Sequence, residues 1–148
     1  MRTSYRMVAL LALLPLLILG AGCSKPGLEY IPTGGSYTMD EAQAAAVSTS
    51  LEAVKGVKTA DAPALRTKRL EQLRTEGPEA SALADLLTKD FPSETAAVPL
   101  RIESATIDGD DCWLVIEAWG DENGVLTHRR LWIIDRATLE ITGSSSFR

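Results

Sequence analysis

The chain predicts an α+β domain over residues 37–148, in which about three helices pack on one face of a four-stranded antiparallel meander sheet. Three observations carry this. Apolar residues recur at helical spacing only before Pro92, the pattern changes to alternation from Val98 onward, and turn-forming residues then return at regular intervals. Helices first and consecutive strands afterwards segregate the two element types along the chain, which favours an antiparallel sheet over a parallel one.

The first helix opens at Thr38-Met39-Asp40-Glu41, where the threonine hydroxyl can cap a backbone donor while Glu41 reaches back to the cap residue. Asp40 and Glu41 also suit the positive end of the helix dipole. Val47, Leu51 and Val54 supply the expected apolar stripe, and Gly56 the left-handed stop. A second helix is expected after Asp61, with Pro63 in its first turn and Leu65, Leu70 and Leu73 facing inward, ending at Gly77. Pro78 opens the third, whose stripe is Leu83, Leu86 and Leu87, ending near Phe91 and Pro92. Helices this short need tertiary packing to form at all, so these stripes are read as core.

Strands are expected near 99–107, 111–119, 125–134 and 139–147, separated by turns at Asp108–Asp111, Gly120–Gly124 and Asp135–Thr138. Asn123-Gly124 is a strong hairpin signal. With a two- or four-residue loop there, Trp113, Val115, Glu117 and Trp119 share a face with His128, Arg130 and Trp132. Cys112, Leu114, Ile116 and Ala118 share the other with Leu131 and Ile133. The second set is packing material. The first gathers all three tryptophans with an acid, an imidazole and a guanidinium. Trp113, Glu117, Trp119, His128, Arg130 and Trp132 therefore form the candidate binding face, against the plainer reading of aromatic core and ordinary cross-strand charge pairs.

Ahead of the domain, Arg2 and Arg6 precede an uncharged run from Met7 to Gly22, the plan of an export signal. As a helix that run would be about 24 Å long, short of the roughly 30 Å of bilayer hydrocarbon. Ile18-Leu19-Gly20-Ala21-Gly22-Cys23 resembles the lipobox of bacterial lipoprotein precursors. The resemblance implies that residues 1–22 are removed and that Cys23 becomes the lipidated first residue. With Ser24 rather than an acid behind the cysteine, it also implies an outer-membrane address facing the periplasm, or the outer face of the plasma membrane in a host with a single membrane. Two or more acyl chains anchor a protein stably where one does not. Residues 23–36, with Pro26, Gly27, Pro32, Gly34 and Gly35, read as a flexible tether, of which the stretch Ser24 to Gly35 reaches about 40 Å when extended.

Composition narrows the chemistry. The full chain has a formal charge of -5, and loss of Arg2 and Arg6 would leave -7. Such a domain repels phosphate backbones, so nucleic acid is not an expected partner. Of two cysteines one is the lipidation site, which leaves Cys112 without an intramolecular partner and, in an apolar strand, expected to be buried. One histidine and one thiol do not assemble a zinc site. The Asp108-Gly109-Asp110-Asp111 turn meets Cys112 and Trp113 where a calcium loop needs oxygen and glycine. No nucleophile stands at a diagnostic spacing from His128, and Ser144–Ser146 lack the glycine-flanked elbow of serine hydrolases. No catalytic residue, metal or cofactor is therefore assigned.

Two function classes follow. The first is a non-enzymatic binding or assembly module held to the membrane by its lipid, meeting an envelope protein through the tryptophan face or an exposed sheet edge. The second is a small-ligand receptor or envelope enzyme with a pocket between helices and sheet, built around Glu117 and His128.

Overall fold

The computed structural model describes residues 27–89, 91 and 96–148. The expected signal segment and Cys23 lie outside these residues.

The α+β class holds, with three helices and a mixed sheet. Strands β1 (Glu29–Ile31) and β2 (Ser36–Tyr37) precede α1 (Met39–Ser48), α2 (Ala62–Arg74) and α3 (Pro78–Lys89). The remaining strands follow in order: β3 (Ala97–Ile107), β4 (Asp110–Trp119), β5 (His128–Asp135) and β6 (Ile141–Phe147). The sheet runs β1-β3-β4-β5-β6, with β2 pairing further along β3. β3 to β6 form the expected antiparallel meander.

Two features of the expected architecture are corrected. The sheet has six strands rather than four and is mixed rather than antiparallel, because β1 and β2 pair with β3 in parallel. β1 and the first residue of β2 come from the segment read as tether. Leu28 is buried, and backbone bonds run from Gly34 to Ser104 and from Thr106 to Gly35.

The helices also cover both faces rather than one. Leu70 and Leu73 of α2 with Leu83 and Leu87 of α3 pack on Ile102, Trp113, Val115, Trp132 and Ile134. On the opposite face, Ala42 and Ala46 of α1 pack on Cys112, Leu114, Ile116, Leu131 and Ile133. Burying both faces explains why β4 alternates so little in burial from Cys112 to Trp119.

The capping box of α1 is formed as expected: Glu41 N–H donates to Thr38 Oγ1 and Thr38 N–H to the Glu41 carboxylate. Its buried stripe is Ala42 and Ala46, however, and the helix stops at Ser48, leaving Val47 half exposed. Small residues let α1 approach the sheet closely. Val54, expected on the same helix, is buried in a separate 3-10 turn, Glu52–Val54. Asp61 precedes α2 as expected, though its side chain makes no capping bond.

Candidate functional site

The register of β4 against β5 sets the geometry of the candidate face. Trp119 lies opposite His128, Glu117 opposite Arg130, Val115 opposite Trp132 and Trp113 opposite Ile134. Directly opposed residues point to the same side of a sheet, so the six candidate residues share one face. The connection from Gly120 to Thr127 is longer than a tight hairpin because it leaves the sheet to pair Val125 with Lys58. Its even length keeps the facing parity.

Sharing a face does not give these residues access to solvent. Trp113, Glu117 and Trp132 are buried beneath α2 and α3, and Trp119 is buried at the end of the sheet. Only His128 and Arg130 are partly open. Each indole is also closed by a guanidinium of the same chain: Arg136 stands 5.3 Å from the Trp113 ring, and Arg130 5.5 Å from Trp132 and 5.1 Å from Trp119. Arg148 adds a second cation to Trp119 at 5.5 Å, and Phe91 meets Trp132 edge-on at 4.7 Å. Cation and ring thus satisfy one another within the domain.

Glu117 is fully buried, and both its oxygens are engaged. Trp132 Nε1 donates to Oε2 at 2.9 Å, and the Arg66 guanidinium from α2 pairs with Oε1. Arg66 donates further to the carbonyls of Leu87 and Ala97, tying α2 to α3 and to β3. A buried carboxylate held this way works as a structural pin. A general base needs a free lone pair directed at substrate, which this arrangement does not provide. His128 instead packs tilted against Trp119, with ring centroids 4.7 Å apart and planes inclined at 53°, and its Nε2 lies 3.7 Å from an exposed Asp121 carboxylate.

A second buried acid was not picked out from the sequence. Glu103 on β3 accepts bonds from Gly35 N–H at 2.8 Å and Tyr37 O–H at 2.9 Å, and pairs with Arg101 two residues before it. Burial alone would raise its pKa. The three donors and the Arg101 charge outweigh that, and hold the carboxyl below its ordinary range. A Cβ on Gly34 would overlap the Glu103 side chain, so the chain can pass only as glycine there. Arg-x-Glu on a strand is too common a pattern to have revealed the cluster.

Cys112 is buried at one end of the sheet beside Asp108, Asp110, Asp111 and Asp135, around a cavity of about 220 Å³. Desolvation, reinforced by Asp111, pushes its thiol up to about 11, which holds it in the protonated form at neutral pH. Among the described residues no group of three or more histidine, cysteine and carboxylate side chains could hold a metal ion, and no helix is long and apolar enough to cross a membrane.

β6 ends the sheet, and its outer side pairs with no other described strand. Thr142, Ser144 and Ser146 are exposed, and the strand from Ile141 to Phe147 contains no charge and no proline. Edge strands are ordinarily blunted by brevity, lysine, proline or bulges. At the opposite edge β1 has three residues. On β6 a register shift disturbs only the Ile141 end. No protein-family model, curated protein or solved structure matches this chain.

Proposed function

We propose that this chain is a lipid-anchored module of the bacterial envelope, without catalytic activity, that assembles with protein through the open edge of β6. The observation that carries the reading is the edge itself: a seven-residue, uncharged strand whose outer side pairs with no other described strand and whose middle, Thr142 to Ser146, carries only small side chains. An added strand would pair with that outer side by β-augmentation. The tryptophan face, sealed by α2, α3 and four arginines, is then core rather than a docking surface, with only its His128 and Arg130 rim near the edge.

The lipobox-like leader supports the envelope address, and the anchor keeps the module at high local concentration on a surface. The buried, fully engaged Glu117 argues against the alternative of a catalytic pocket around Glu117 and His128.

A photo-crosslinking amino acid placed at Ser144 of the full-length protein tests this in intact envelopes, with the exposed Glu71 on α2 as control position. A discrete protein adduct from Ser144, absent from Glu71, is expected. Equal labelling from both positions, or none from Ser144, would overturn the reading.

A further inference from the structure

We infer that the strand completing the β6 edge is β6 of a second copy of this chain, paired antiparallel about Ser144. This rests on the proposed use of the edge and names its occupant.

Centring a two-fold axis on Ser144 sets Gly143 against Ser145 and Thr142 against Ser146 of the partner copy. The five residues nearest the axis, Thr142 to Ser146, are small and uncharged, so no like charges meet at the centre of the seam, the usual obstacle to self-pairing in a chain of net charge -5. The ends complement one another. Antiparallel pairing carries the Glu140 end of each strand to the Arg148 end of the other, and the Ile141 end to the Phe147 end.

The helix beside the edge points the same way. Met39, Gln43 and Val47 follow one another at four-residue spacing along α1. Gln43 Nε2 lies 3.4 Å from Ser145 Oγ, which places this stripe alongside the edge, level with the proposed axis. Met39 is 37% exposed and Val47 50%. Rotation about the axis brings Met39 of one copy toward Val47 of the other, on either side of Gln43. Met39 and Val47 thus lie beside the seam on the α1 face, while Ile141, opposite Ile134, lies on the other face of the same strand. An extended peptide added to β6 would leave the α1 stripe uncovered, whereas a second copy covers strand and stripe together.

The test uses the full-length, membrane-anchored protein carrying Ser144→Cys. A residue on the two-fold axis faces itself, so mild oxidation in the envelope is expected to give a covalent homodimer that wild type and Glu71→Cys do not form. In detergent, wild type is expected to sediment as a dimer and Ser144→Lys, which would bring two ammonium groups together, as a monomer. Monomeric wild type with no Ser144→Cys homodimer would overturn the inference. If the photo-crosslinker at Ser144 still captured a different protein, edge docking would stand and self-pairing fall; if it captured nothing, both would fall.

Discussion

The indole of Trp132 on β5 donates to the buried carboxylate of Glu117 on β4 at 2.9 Å, and the same carboxylate holds Arg66 of α2. One acid therefore joins two strands and a helix, and removing it strands a guanidinium that is only 16% exposed. Glu117→Ala should lower unfolding stability by about 3–5 kcal/mol, read as a shift in the urea midpoint. Glu117→Gln keeps an acceptor for the indole and should cost less. A shift below about 1 kcal/mol for Glu117→Ala, the range of exposed pairs, would mean that the cluster is not a structural pin.

Glu103 makes stability depend on acid. Its folded pKa lies below the unfolded value, so its contribution is fully present above the ordinary glutamate range and is lost as pH falls through the folded pKa. Wild type should lose stability from about pH 4.5 downward. Glu103→Gln should be less stable at neutral pH and flatter across the acid limb. Parallel pH profiles for the two proteins, measured by thermal melting, would contradict the assignment.

Cys112 should be silent while the domain is folded. With its thiol pushed up to about 11 and its side chain buried, alkylation by iodoacetamide at pH 8 should be far slower than in denaturant. Mass spectrometry at Cys112 before and after unfolding measures this directly. Equal rates in the two states would show that this end of the sheet opens readily.

The proposed lipid anchor is tested separately from the fold. Cys23→Ala should abolish incorporation of labelled palmitate and reduce the fraction of protein recovered with membranes, since the acyl chains supply the binding. Unchanged membrane recovery with palmitate still incorporated elsewhere would remove the lipoprotein reading.

What the chain reveals of itself depends on how local the cause is. The Thr38–Glu41 box, Pro78 at the start of α3 and the left-handed backbone at Gly56 are set within a few residues and were readable, although α1 ends at Ser48 and Gly56 is not its stop. The meander was readable because alternation and turns are local too. β1 and β2 were not: strands of three and two residues rich in glycine and proline surroundings carry no periodicity, and their pairing with β3 is about 70 residues distant. The choice of face for α1 depends on tertiary packing. Ala42 and Ala46 are a faint apolar signal beside Val47, yet close approach to Leu131 and Ile133 selects the alanines.

The candidate face shows the same division. Register and parity placed Trp113, Glu117, Trp119, His128, Arg130 and Trp132 on one side. Whether that side faces solvent depended on Arg66, Arg136 and the leucines of α2 and α3, which meet it only in three dimensions. The β6 edge is the converse case, since a serine-rich strand looks unremarkable until its place at the end of the sheet is known.

Occupancy of that edge is the central claim, and backbone hydrogen exchange tests it without assuming the occupant. Peptides covering residues 139–148 should exchange more slowly in protein held in its own envelope than in dilute purified protein, while peptides from the central strand β4 exchange alike in both. Equal exchange of the β6 peptides in the two settings would mean that nothing pairs with the edge, and the account of this protein as an assembly module would fail.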